Sequence, residues 1–309
     1  DTRRWRNDDT GMINRLCDEV VEAIKEEAHL YADDEDVEKT FLKHIKNSRS
    51  NRAKTSMVKE LQHRAPILPN QLDTDSMAFN TPNGVLNLRN GELINHEPHL
   101  YISKISTTEY TETADCPEWI KFLDDIFAGD PDLIRYIQKA IGYSLTGSTA
   151  EQCAFFCYGT GRNGKSTFLD AISEIIGDYA TNIQPETLMI KQGSQGANSD
   201  IARLKGARFV TTVEPNEGVR LNEGLVKQLT GGDKVTARHL YGNEFEFTPE
   251  FKLWMGTNHK PIIRGTDIGI WRRIHLIPFT VQIPTDKVDR QLKYKLKAEY
   301  KKKKKSPAN

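Results

Sequence analysis

AFFCYGTGRNGKSTFLDAISEIIG, residues 154 to 177, decides the fold. Ala154 to Tyr158 is a short continuous apolar run, as a strand covered on both faces of a parallel sheet requires. It leads into Gly159-Thr160-Gly161-Arg162-Asn163-Gly164-Lys165-Ser166, which matches G-x-x-x-x-G-K-[ST]. Glycines at those positions let backbone N–H groups turn inward around a phosphate, and the following helix presents its positive N-terminus to the same group. The stretch from Ser166 to Ile176 predicts an amphipathic helix with Gly177 as its C-cap. Residues Gly159 to Ser166, with Thr167, are therefore the expected nucleotide cradle. ATP and Mg²⁺ are the expected occupants, Lys165 reaching the β- and γ-phosphates and the Ser166 hydroxyl taking the metal.

Downstream, ARFVTTV (207–213) reads as a buried strand that ends in Glu214. An acid at the mouth of the strand beside the phosphate loop holds Mg²⁺ or orients the attacking water, and Glu217 is a second candidate for that work. FKLWMGT (251–257) is a further strand, and Asn258 at its tip offers an amide to the γ-phosphate or the lytic water. DIGIWRRIHLIPF then brings Arg272 and Arg273, the residue type suited to charge that develops in a transition state. A helix, NEGLVKQL, lies between the two strands, so this half of the chain is α/β with a parallel sheet. LTGGDKVTARHLYGNEFEFTPEF alternates on either side of Tyr241-Gly242-Asn243 and predicts a hairpin. Lys234, Arg238, His239 and Tyr241 on it suit single-stranded DNA, cations pairing with phosphate and a ring stacking on any base. The other reading is a structural ribbon with Arg238 paired to Glu244 or Glu246.

Upstream, residues 11 to 64 show helical spacing of Ile13, Leu16, Val20, Val21 and Ile24, with Asp33, Asp34 and Asp36 as start signals for a second helix. Residues 77 to 106 change to short strands with turns at Pro82-Asn83-Gly84 and Arg89-Asn90-Gly91, and residues 117 to 145 return to helix. The expected organisation is a mainly helical region over 1–75, a β-hairpin and helical segment over 76–148, the ATPase over 149–285, and a basic tail without fixed structure over 286–309. That tail, ending KKKKKSPAN, reads as a solvated end or a DNA-binding arm. Lys plus Arg equals Asp plus Glu at 43 each, so net charge gives no sign of nucleic acid. No run approaches the length of a membrane span, and four cysteines without zinc spacing fit a reducing cytoplasm.

The ordered set GTGRNGKST, VEPNEG, LVKQLTGGDKVTARHLYGNEFEFTPEFKLWMGTNHKP and WRRIHLIPF resembles the superfamily 3 helicases, an AAA+ branch. Within it the set resembles the phage and plasmid primase-helicase group related to the poxvirus helicase-primase. FNTPNGVLNLRNGELINHEP resembles the amino-terminal helicase region of the same family. The resemblance implies that Lys165 and Ser166 are Walker A, Glu214 the Walker B acid, Asn258 sensor 1 and Arg273 the arginine finger. It further implies a homo-oligomeric ring, usually hexameric, that translocates on single-stranded or forked DNA, with the hairpin projecting into its channel. A primase-polymerase, fused or associated, is the expected companion. An ATP-driven initiator or loader, and a DNA-bound scaffold that uses ATP only to assemble, are the alternatives.

Overall fold

The computed structural model describes residues 3–190, 199–213, 220–260, 262–265 and 267–301. The chain divides into two compact units, Trp5–Leu72 and Asp73–Asn309, the latter including Asp1–Arg4.

The smaller unit holds helices α1 (Met12–Glu26), α2 (Glu35–Ser48) and α3 (Asn51–Arg64). Asp34 starts α2 by accepting from the backbone N–H groups of Asp36 and Val37, as its place in the sequence predicts. Cys17, Val21 and Ile45 are buried where the three helices meet.

The larger unit opens with a small antiparallel sheet, β1 (Ala78–Thr81), β2 (Gly84–Asn87) and β3 (Leu93–Ile94), turning at the expected Pro82-Asn83-Gly84. Helices α4 (Pro117–Ile126) and α5 (Pro131–Leu145) follow. Asp130 caps the second by accepting from Asp132 N and Leu133 N, with Pro131 in the first turn where a missing N–H costs nothing.

The α/β half contains β4 (Ala154–Tyr158), α6 (Lys165–Ile176), β5 (Ala180–Asn182), α7 (Ser199–Ala202), β6 (Phe209–Val213) and α8 (Glu223–Gly231). After these come β7 (Val235–Arg238), β8 (Glu244–Phe247), β9 (Lys252–Thr257), α9 (Ile268–Trp271), β10 (Ile274–Pro278) and α10 (Leu292–Tyr300). Five of the strands form a parallel sheet in the order β10-β4-β9-β6-β5. This corrects one expectation: the strand that leads to Glu214 is not beside the phosphate-loop strand. β9 is inserted between them, pairing Tyr158 with Thr257 on one side and Val213 with Gly256 on the other. Trp254 sits at the centre of the sheet, 4.3 Å from the Phe155 ring and 5.4 Å from that of Phe209.

The basic tail was expected to have no fixed structure from residue 286, yet α10 occupies Leu292–Tyr300. Charge misled because every fourth position matters more than the average: Leu296 is buried, packed with α4 and α6. Lys293 pairs with Asp170 at 2.6 Å and Lys297 with Glu174. The Glu299 carboxylate accepts from Glu118 N and Trp119 N at 2.8 and 3.0 Å, capping α4. Residues 302–309 lie outside the described residues. Among the described residues no helix is long and apolar enough to cross a membrane.

One charged side chain lies inside β9. Lys252 is 1% exposed and donates to the carbonyls of Thr146, Ser148 (3.1 Å) and Glu250 (3.4 Å). Burial, reinforced by the charge of Arg208, lowers its pKa to about 7. An unfolded lysine keeps its proton to about pH 10. Through Lys252 the unfolded chain binds more protons between about pH 7 and about pH 10, so this side chain adds stability that grows with pH across that window. The buried thiols of Cys153 and Cys157, raised by loss of water, oppose it above about pH 8.5. Urea midpoints should climb for the wild type between about pH 7 and about pH 8, with a shallower slope for Lys252→Met. An unchanged slope in the variant would remove Lys252 as the source.

Candidate functional site

The phosphate loop takes its shape from two glycines with little room. Gly164 has φ 83°, and a Cβ there would lie 2.7 Å from Ile126 Cγ2 of α4. A Cβ on Gly159 would meet the Phe279 carbonyl oxygen at 2.1 Å. The loop is closed from above by the segment after β10. Phe279 N donates to Tyr158 O at 2.8 Å, Ile283 N to Arg162 O at 3.2 Å, and Gln282 Nε2 to Thr160 Oγ1 at 3.0 Å. Arg162 donates from Nη1 to Thr285 Oγ1 at 3.2 Å, so its charge is turned toward this strap.

Lys165, the first residue of α6, is 6% exposed. Its Nζ donates to Gly159 O at 2.6 Å, Asn163 Oδ1 at 2.9 Å and Asn258 Oδ1 at 3.1 Å. Asn163 is itself buried and donates to Phe279 O at 2.9 Å. Chain topology brings Asn258 here, since β9 neighbours β4 and both end at the same edge. Ser166 is exposed in the first turn of α6 and Thr167 is half-buried. Beneath the loop, Cys157 is fully buried, and the loss of water raises its thiol pKa, which suits a packing thiol and not a nucleophile. Glu214 and Glu217 lie outside the described residues.

Arg272 and Arg273 are not gathered to this loop. They precede β10, and Arg273 O accepts from Ala154 N at the start of β4, the end of the strand opposite the phosphate loop. Arg273 is 8% exposed and committed within the chain, donating to Gly269 O at 2.6 Å and Gln152 Oε1 at 2.9 Å. Arg272 also reaches Gln152 but remains exposed. Gln152, Gln282 and Thr285 were missed in the sequence because nothing in their local pattern shows which loop they meet. Lys260 was missed too, although it stands two residues after Asn258; its Nζ lies 4.5 Å from the Tyr158 ring centroid.

The expected hairpin is present, with β7 and β8 antiparallel and Arg238 opposite Glu244. Tyr241 at the tip is 99% exposed with φ 61°. Lys234 pairs with Glu246 at 3.8 Å, and His239 stacks on Phe245 at 5.2 Å.

Comparison with known proteins adds to this geometry. Residues 1–128 match the family model described as D5 N terminal like, and residues 157–273 match a family of unknown function (DUF5906). A protein of Acanthamoeba polyphaga mimivirus named "Putative helicase L207/L206" is 30% identical over 241 residues, which cover 76% of this chain and 25% of that protein. "Putative helicase 022R" of Frog virus 3 is 32% identical over 165 residues, 52% of this chain and 17% of that one. "Putative primase C962R" of African swine fever virus is 27% identical over 280 residues, 85% and 29% respectively. The chain thus spans less than a third of the length of these relatives. Among solved structures, the A form of the apo NrS-1 C-terminal region is alike in fold, with a TM-score of 0.53 at 15% identity, over 80% of this chain and 59% of that one.

Proposed function

The chain belongs to the primase-helicase family of the D5 type, and on that premise we propose that it is the ATP-driven motor of a viral, prophage or plasmid DNA helicase. One observation carries the reading: Lys165 is held between the phosphate loop and Asn258, so the side chain that meets the γ-phosphate and the amide that senses it are already in contact. Mg²⁺ fits the site through the exposed Ser166 hydroxyl, since this metal keeps most of its oxygens from water and phosphate. Glu214, which follows β6 in the sequence, is the residue assigned to polarise the attacking water. Bound there, Mg²⁺ would supply charge neutralisation on the phosphates; Lys165 is placed to orient them and Asn258 to hold the water or γ-oxygen in line.

The arginine pair lies at the opposite end of β4 from its own phosphate loop, which supports a ring in which it serves the neighbour. Arg272 is the better candidate finger, because Arg273 spends both terminal nitrogens inside its own chain. DNA enters this reading as the track, held by the hairpin. A primase-polymerase partner is supported by the relative named as a primase. The four free thiols suit the reducing host cytoplasm.

The test is phosphate release with and without single-stranded DNA, together with strand displacement from a forked duplex. A motor of this kind should hydrolyse ATP faster with DNA and displace the strand. DNA-stimulated hydrolysis without displacement would replace the reading with a loader, and ATP binding without hydrolysis would replace it with a scaffold.

A further inference from the structure

The ribbon formed by β7 and β8 has two unlike faces. One shows Thr236, Arg238, Glu244 and Glu246, all exposed. Arg238 stands opposite Glu244 and Thr236 opposite Glu246 in the ladder, and Lys234 Nζ is 3.8 Å from Glu246. The face thus carries two cations and two carboxylates, Lys234 ion-paired and Arg238 opposite Glu244 in register only, so a phosphate arriving there meets no net positive charge.

The other face buries Val235, Ala237 and Phe247 in a core shared with Ile201, Ala202 and Leu204. At its margin Phe245 stays half-exposed, with the His239 ring stacked on it at an interplanar angle of 22°. Lys205 Nζ reaches over the same Phe245 ring, 5.7 Å from its centroid. Lys205 comes from the turn between α7 and β6, remote from the ribbon in sequence. That turn is fixed by the fully buried Leu204 and Ala207 and by Gly206 at φ 71°, leaving Arg203 and Lys205 exposed. Neither makes an ion pair among the described residues.

We propose that Lys205, with His239 backed by Phe245, forms the flank of the hairpin that holds single-stranded DNA, Lys205 taking a phosphate while the exposed His239 ring stacks on a base. The chemistry is that of single-strand binding: a cation without an ion pair among the described residues, on a fixed turn, beside an exposed ring that accepts any base. The Lys234 and Arg238 face, by contrast, serves the ribbon's own charge balance. This assignment rests on the DNA-motor reading above and adds to it a residue from outside the hairpin.

The probe is a fluorescent oligothymidylate, its affinity measured by anisotropy over a series of NaCl concentrations. Each cation lost from a single-strand phosphate flattens the plot of log K against log salt by about 0.7. Lys205→Gln should weaken binding by about threefold to tenfold at low salt and flatten the slope by about that amount, and Lys205→Arg should restore both. The double variant Lys234→Gln/Arg238→Gln should keep the wild-type slope. Thermal midpoints within a degree or so of wild type show that each variant is folded. A wild-type slope in Lys205→Gln overturns the assignment, as does flattening confined to the Lys234/Arg238 variant. Wild-type protein that fails to bind the oligonucleotide at low salt overturns the DNA-motor reading itself, and the assignment falls with it.

Discussion

Lys165→Ala should lower ATP hydrolysis by about 10³-fold, the scale on which removing one preorganised electrostatic group acts. In the wild type the ammonium occupies a slot bounded by Gly159 O, Asn163 Oδ1 and Asn258 Oδ1. It must leave part of that slot for the β- and γ-oxygens when nucleotide enters, so its charge is positioned before the reaction begins. Alanine removes the charge and keeps α6, being the best helix former at its first position. Lys165→Arg should fail nearly as badly, because a planar guanidinium cannot enter a slot whose walls stand 2.6 to 3.1 Å from a single nitrogen. Phosphate release is the measurement, with circular dichroism to show an intact fold. Hydrolysis within tenfold of wild type in either variant would place the chemistry elsewhere.

Trp254→Ala should cost about 3–5 kcal/mol of the larger unit's stability, the range for deleting a large aromatic from a core. Trp254 is 0% exposed. Its ring contacts Phe155 of β4, Phe209 of β6 and Phe168 of α6, so it joins three neighbouring elements of the α/β half at one point. Its Nε1 donates to Ser144 Oγ on α5 at 3.0 Å, which ties the sheet to the preceding helices. Alanine leaves a cavity that these fixed backbones cannot close. Trp254→Phe keeps most of the contact area, loses the hydrogen bond, and should cost less than half as much. Urea unfolding followed by a probe in the larger unit measures both. A loss below about 1.5 kcal/mol for the alanine variant would show that the sheet tolerates the hole.

Much of the site was legible because its chemistry is local. The loop's glycines, Lys165 and the helix that follows must be adjacent in sequence to surround one phosphate, and Gly177 marks a helix end by its own backbone. What could not be read is whatever depends on which strands become neighbours. An acid following an apolar strand gives no sign that β9 will be inserted between that strand and β4. Period-two alternation announces a ribbon, yet which face packs is settled by Ile201 and Leu204, from another part of the chain. Two adjacent arginines look equivalent in sequence, and only burial separates Arg273 from Arg272. Lys252 sits in a stretch otherwise apolar, where a lysine would be expected at the solvent; the carbonyls that hold it come from the turn after α5. The last helix was lost to its charge, since five basic residues between 290 and 301 hid Leu292 and Leu296.

β10 carries a mechanical implication. Its amino end is continuous with the arginine pair, and its carboxyl end passes into the strap, where Phe279 O accepts from Asn163 and Phe279 N donates to Tyr158 O. Along its length it is bonded to β4 in an unbroken register from Ile274 to Pro278. A strand so paired is stiff along its axis, at about 3.3 Å per residue, and cannot shorten to absorb a push. It is a connecting rod: a displacement applied where Arg272 protrudes would emerge at the lip of this chain's own phosphate loop. In the ring proposed above, each cylinder would then be timed by the firing of the one beside it.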